Sequence, residues 1–275
     1  MTQLIETISE IASRYDAVVF DQWGVLHNGS SPYPKALGCL AGLAAAGTTL
    51  AVLSNSGKRA DPNAARIAQM GFDADQFSYV MTSGEALWRD IASGEITARN
   101  FYPIERAEGD AASWAQGLDL SLTSLELAEA VLLMGLPDGA ELADWEETLQ
   151  GALQRTLPIY CSNPDRKSPR AGSLVISPGA LAARYAELGG EVIYYGKPHL
   201  PIFKSLQTAL QCQKILMIGD SLEHDITGAA QANWDSVLVG GGLYTEAFSN
   251  GSWQDTLASL TPGYATPTYF IKELA

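Results

Sequence analysis

The chain has 275 residues, 31 of them acidic and 17 basic, for a formal net charge of -14. A nucleic-acid partner needs a basic footprint that releases counterions, and no such surplus exists in the molecule as a whole, which argues against polyanion binding. Charged residues make up only 17% and apolar residues 47%, a core-forming composition rather than a disordered one, and no apolar run approaches the roughly 18 residues of a membrane span.

The opening stretch, MTQLIETISEIASRYD, carries Glu6 and Glu10 where a signal peptide would be basic and then uniformly apolar, so it reads as an amphipathic helix. DAVVFD follows as a buried strand, residues 33–46 as a helix stopped at Gly47, and TTLAVLSN as the next strand. Residues 58–70 read as a helix ended by Gly71, and YVMTS as a further short strand. In the middle, FYPIE, AVLLMG and LPIYCSN are strand candidates, with helices near 110–116 and 140–154. The grammar of the beginning then returns: VIYYGK, a helix over 200–211, KILMIGD, a helix over 223–233, and DSVLVGG.

Strands alternating with helices of about ten to fifteen residues imply crossover units and a parallel sheet covered on both faces. The middle differs in composition. Between residues 105 and 147 eleven acidic side chains face the single basic Arg106, so most of the net charge falls there. The expected organisation is a core built from 1–82 and 192–275, interrupted by an inserted α/β domain over 83–191. Cys39, Cys161 and Cys212 are odd in number and far apart, which fits three structural thiols in a reducing cytoplasm. His27, His199 and His224 lack the spacing of a zinc site. Basic residues cluster at Lys58, Arg59 and Arg66, and again at Arg166, Lys167 and Arg170.

In open parallel sheets ligands sit beyond the carboxyl ends of the strands, so the polar residues that follow each apolar run are informative. VVF is followed by Asp21, LAVL by Ser54 and Asn55, VIYYG by Lys197, and ILMIG by Asp220, with Asp225 five residues later. Singly, each could be a helix cap, a turn residue or a solvent-facing lysine. Together they supply what phosphoryl transfer needs: a carboxylate nucleophile, donors for the phosphoryl oxygens, and carboxylates for a hard cation such as magnesium.

FDQWGVLHNG, VLSNS, YGKPHLPIF and IGDSLEHDITGA resemble, in order, the four motifs of the haloacid dehalogenase superfamily. TSGEAL, CSNPDR, the PGALAARYAELGG helix and the closing PTYFIKEL are similar to its class IIA branch, which contains N-acetylglucosamine-phosphate and pyridoxal-phosphate phosphatases. The resemblance spans nearly the whole chain and implies a Rossmann-like core with an inserted α/β cap that closes over the site. It implies that Asp21 attacks phosphorus and becomes an aspartyl-phosphate. Asp21, Asp220 and the main-chain oxygen of Trp23 would bind Mg2+, with Asp225 assisting, while Ser54 and Lys197 hold the transferring oxygens. Asn55, Lys58, Arg59, Asn163, Asp165 and Arg166 are the expected contacts to a small phosphorylated metabolite. By analogy with the class, association into a homodimer through the cap is expected.

One position departs from the pattern. The resembled phosphatases usually carry Asp two residues after the nucleophile, as acid for the leaving group and base for water, and here that position is Trp23. An indole has one N–H donor and no basic lone pair, so the roughly 10² to 10⁴ contribution of general acid–base catalysis is missing. His27 or His224 could supply the proton, or a good leaving group could dispense with it. The leading expectation is a magnesium-dependent phosphohydrolase of reduced efficiency. The alternatives are a phosphometabolite-binding protein with little turnover and a haloacid dehalogenase, in which an aromatic residue is usual at this position. Against the last, Asp220 and Asp225 keep the magnesium pattern. A phosphonate hydrolase would need a Schiff-base lysine in the cap, and none can be assigned.

Overall fold

Four consecutive residues with no exposure, Ala17–Phe20, form the central strand of the larger sheet in this computed structural model, which describes residues 2–170 and 173–275, with the side chains of 169, 170, 173 and 174 outside that description. A fully buried run of this kind is what a strand covered on both faces requires. Ile215–Gly219 lies on one side of it and Thr49–Ser54 on the other, both parallel. The sheet continues outward through Asp235–Val239, Tyr269–Ile271 and Gln3–Leu4 on the first side, again in parallel, and ends with Phe77–Thr82 on the second.

Alternate residues of the outer strands enter opposite cores, as the two-residue period of a strand demands. Val237, Val239, Tyr269 and Ile271 pack with Val18, Leu50 and helix residues Leu40 and Leu43 on one face. Leu238 and Phe270 pack with Leu222, Ile226 and Leu257 on the other. The strands after Ala17–Phe20 in the chain run to one side and the last strands return to the other. The order therefore reverses between Ala17–Phe20 and Ile215–Gly219, which is where a doubly wound sheet opens a crevice at its strand ends.

The chain divides into two compact units: Met1–Ser54, Asp61–Met81 and Phe203–Ala275, and then Asn55–Ala60 with Thr82–Ile202. The second unit has its own five-stranded sheet, ordered Val192–Tyr194, Ile159–Cys161, Ala130–Leu133, Asn100–Ile104 and Ser121–Leu122, every pairing parallel. Its core gathers Ile104, Val131, Leu133, Leu149, Ile159, Leu181 and Tyr185, and the Tyr185 hydroxyl donates to the Leu157 carbonyl at 2.7 Å. Two antiparallel strands, Lys167–Arg170 and Ser173–Ile176, occupy the stretch that the sequence marks only by its basic cluster.

Two local expectations are corrected. The amino-terminal stretch is not one amphipathic helix. Gln3–Leu4 is a strand paired with Tyr269–Ile271, and only Ser9–Ala12 is helical. The main-chain hydrogen bonds Gln3 N–H to Thr268 O and Ile5 N–H to Phe270 O, both 3.0 Å, outweigh the local helical pattern because they complete a sheet edge. The helix expected over 223–233 begins as a π-helical turn, Leu222–Ile226, before the α-helix Thr227–Gln231. The three cysteines are free thiols, and no helix among the described residues is long and apolar enough to cross a membrane.

Candidate active site

Asp21 and Asp220 immediately follow neighbouring parallel strands whose register sets Phe20 against Ile218, so the two carboxylates leave the sheet side by side at the switch point. The Asp21 N–H donates back to the Ile218 carbonyl at 2.9 Å, which fixes where the chain turns out of the sheet. Asp225 reaches the same place through the π-helical turn, a widened turn of a kind often found at functional sites. Oxygens of Asp21, Asp220 and Asp225 all lie within 4.8 Å of one another. Asp220 and Asp225 are buried, and Asp21 is half-buried.

The surrounding backbone is shaped to these carboxylates. Ser221 N–H donates to Asp225 Oδ2 at 3.0 Å, and Leu243 N–H donates to Asp220 Oδ2 at 2.7 Å. A Cβ on Gly24 or Gly242 would overlap the Asp220 carboxyl, and one on Gly219 would overlap Asp225. Gly24 also has a φ of +87°, a conformation that favours glycine. Tyr33 and Tyr244 are held above the usual phenol range, chiefly by burial and in part by the negative charge of Asp220. Three close carboxylates with hard oxygen donors and backbone approach from glycines fit a divalent cation better than any other occupant.

Ser54 ends the strand on the far side of Ala17–Phe20 and is nearly buried at its tip. The turn after Asp21 is braced by a side-chain hydrogen bond between buried Gln22 and Asn63 of the helix Ala60–Gln69. It is also closed by Leu26 N–H and His27 N–H to the Gln22 carbonyl, at 2.8 and 3.1 Å. Trp23, projecting from that turn, is 47% exposed. Leu243, whose amide holds Asp220, is 56% exposed.

His27 is not a usable acid. It is 1% exposed, its Nδ1 accepts the Gly29 N–H at 3.0 Å, and its Nε2 has no hydrogen-bond partner among the described residues. Burial, helped by the charge of Arg66, lowers its pKa to about 4, so it is a neutral packing group at neutral pH. His224 lies half-buried on the π-helical turn, its N–H bonded to Ser221 Oγ at 3.1 Å.

In the second unit, Lys197 is 2% exposed. Asn55 and Asp165 bond to one another at 2.9 Å, and Asn55 also bonds to the main chain of Lys197. The Asn55 amide and Asp165 Oδ1 are thereby joined across segments distant in the chain. Asn163 Oδ1 accepts the Asp165 N–H at 2.9 Å in a tight turn. Arg59 pairs with Glu85 at 2.6 Å and lies 3.9 Å over the Trp88 ring, leaving Lys58 as the exposed cation of its loop. Arg166 and Lys167 are exposed, and the side chain of Arg170 lies outside the described residues.

Sequence reasoning missed the glycines and the Leu243 amide that hold Asp220. The run Gly240, Gly241, Gly242 after the strand Asp235–Val239 was the available signal, since consecutive glycines at a strand tip permit close backbone approach.

A family model described as haloacid dehalogenase-like hydrolase matches residues 18–107, and one described as HAD-hydrolase-like matches residues 194–274. The first stretch contains Asp21 and Ser54, the second Lys197, Asp220 and Asp225. A haloacid dehalogenase-like family hydrolase from Brucella suis 1330 superposes with a TM-score of 0.82 at 30% identity, covering 99% of this chain and 100% of that one. Chronophin from Mus musculus is 27% identical over 98% of this chain and 94% of its own. A glycerol phosphate phosphatase from Mycobacterium tuberculosis, solved in complex with magnesium, shares the fold with a TM-score of 0.71 at 21% identity, covering 94% of this chain and 75% of that one.

Proposed function

The chain belongs to the haloacid dehalogenase-like hydrolases, class IIA, and on that premise we propose that it hydrolyses phosphate monoesters of a small metabolite with the help of a divalent cation, magnesium. The observation that supports this most is the trio Asp21, Asp220 and Asp225, oxygens within 4.8 Å and two of the three side chains buried. Like charges so close and so dry are costly unless a cation offsets them. These residues, with the main-chain oxygen of Trp23, would hold it. When bound, the cation would neutralise charge on the phosphoryl group and polarise it towards attack.

Asp21 is the trio's half-exposed member and the one assigned as nucleophile. Its oxygen forms a bond to phosphorus as the ester oxygen departs with the bonding pair, leaving an aspartyl-phosphate. Water then attacks that phosphorus, releasing phosphate and restoring the carboxylate. Ser54 and Lys197 take the role of binding the transferring oxygens. Lys58 and Arg166, both exposed cations, are assigned to the anionic substrate. Trp23 supplies neither an acid for the departing ester oxygen nor a base for the attacking water, and the neutral, buried His27 has no proton to give as an acid. Turnover therefore depends on the leaving group, fast for aryl esters and slow for alkyl esters.

The half-exposed Trp23 favours one second reading, a protein that binds phosphometabolites with little turnover. A magnesium-supplemented screen of aryl and alkyl phosphates against wild type, Asp21→Asn and Trp23→Asp separates the two. Wild-type activity abolished by Asp21→Asn supports the hydrolase, and Trp23→Asp then gains about 10² to 10⁴ on alkyl esters and little on aryl esters. An inactive wild type rescued by Trp23→Asp supports the binding protein. Halide release from a 2-haloacid in the presence of a chelator would instead indicate a dehalogenase. A homodimer and a cytoplasmic location, the latter on the three free thiols, complete the reading; size-exclusion chromatography tests the former.

A further inference from the structure

Asn55 follows Ser54 in the chain, yet its side chain is engaged entirely within the second unit. Oδ1 accepts the Lys197 N–H at 2.7 Å. Nδ2 donates to the Lys197 carbonyl at 3.2 Å and to Asp165 Oδ1 at 2.9 Å. A carboxamide carries two donor hydrogens, and here both are committed, along with one oxygen lone pair. The side chain thus grips both main-chain groups of a single residue, as a neighbouring strand would, and is itself oriented by a carboxylate.

The segment carrying Lys197 is fixed from other directions too. Tyr195 N–H donates to the Cys161 carbonyl at 3.0 Å, and the Tyr195 hydroxyl donates to Asp90 Oδ2 at 2.7 Å. Gly196 has no room for a Cβ, which would overlap the Pro164 ring and come within 2.8 Å of Asn55 Oδ1. His199 N–H donates to the Gly196 carbonyl at 2.9 Å. Asp165 is held by the turn at Asn163, its N–H donating to Asn163 Oδ1, and presents its carboxylate to Asn55. Fixing the Lys197 backbone removes part of the ordering cost of its segment before any anion arrives.

We propose that Asn55 is a positioning residue for Lys197, with Asp165 orienting the Asn55 amide, and that neither residue contacts substrate. The inference rests on the reading of Lys197 as a cation for the phosphoryl oxygens, and it explains why the position after Ser54 carries an amide. An Asp there would keep the Lys197 N–H but would turn a carboxylate towards both the Lys197 carbonyl and Asp165, losing two bonds and adding repulsion.

The test uses the full chain with magnesium, p-nitrophenyl phosphate for kcat and KM, and calorimetric binding of inorganic phosphate. Asn55→Ala, Asn55→Asp, Asp165→Asn, Lys197→Ala and the double variant Asn55→Ala/Lys197→Ala are compared. Misplacing a catalytic group by about 1 Å costs on the order of 10² in rate, so both Asn55 variants should lose about that factor in kcat/KM. Because Asn55 acts through Lys197, the double variant should be no worse than Lys197→Ala alone. Asp165→Asn retains an oxygen acceptor for Asn55 and should stay within about threefold of wild type, a rescue that a substrate-binding carboxylate would not show. If Asn55→Ala fails to fold, Asn55→Asp, nearly identical in shape, carries the comparison. Losses that multiply in the double variant, wild-type kinetics in both Asn55 variants, or an Asp165→Asn loss as deep as theirs would overturn the inference while leaving the hydrolase standing. A wild type that neither turns over the probe nor binds phosphate would overturn both.

Discussion

Replacing Asp21 by Asn removes one charge from three carboxylates whose oxygens lie within 4.8 Å of one another, with almost no change of shape. Two unit charges about 4.8 Å apart repel by about 3.5 kcal/mol at an effective dielectric of 20 and by about 1 kcal/mol in water. Asp21 is half-exposed, so water screens both of its pairs, whereas Asp220 and Asp225 sit in the drier part of the cluster. The amide donors on Asp220 and Asp225 remain in place, since neither comes from Asp21. The two repulsions removed from the trio amount to about 2 kcal/mol at that screening, and at roughly 2–4 °C per kcal/mol for a chain of this size Asp21→Asn should melt about 4–8 °C above wild type in a chelator. Magnesium should reverse the order, because a cation that binds only the folded state stabilises in proportion to its affinity and wild type offers it the fuller ligand set. Scanning calorimetry with chelator and then with excess magnesium reads both effects. A variant melting at or below wild type in chelator, or an equal magnesium shift in both proteins, would refute the cation site.

Gly24→Ala should weaken the magnesium-induced thermal shift severalfold while leaving a folded protein, because the added methyl overlaps the Asp220 carboxyl at a φ of +87°; an unchanged shift would show that the turn has slack. His27 contributes a pH dependence of definite sign. Its folded pKa of about 4 lies below the ordinary 6.5, so its stabilising effect is present above pH 6.5 and is lost as pH falls towards 4, by about 2 kcal/mol at pH 5. Urea melts at pH 7.5 and 5.0 should therefore show a smaller acid loss in His27→Gln than in wild type. Neutralising Lys58 and Arg166 together should raise KM for a phosphorylated substrate by about tenfold with little change in kcat, and steady-state kinetics at low salt would expose an unaltered KM.

The parallel α/β architecture was legible because buried strands such as Ala17–Phe20 and Ile215–Gly219 are continuous apolar runs, and short runs alternating with helices admit few topologies. The placement of Asp21, Ser54 and Asp220 at strand ends was legible for the same reason, since each closes or follows such a run. The paired strands Lys167–Arg170 and Ser173–Ile176 and the strand at Gln3–Leu4 were not, being short segments whose pairing partners decide their conformation.

What the sequence determined by itself was the periodic burial that builds each element and the chemical type of the residue at each strand tip. What only the tertiary structure decided was which of those residues meet. Asn55 and Lys197 are 142 positions apart, Asn55 and Asp165 110, and Asp220 accepts from Leu243 23 positions on while Gly24 closes on it from the far end of the chain. Local patterns report how a residue is buried within its own element, but hydrogen bonds and exclusion between distant segments are set by strand order and register. These place His27 in a dry core, Trp23 in solvent and the Asn55 amide on a lysine backbone.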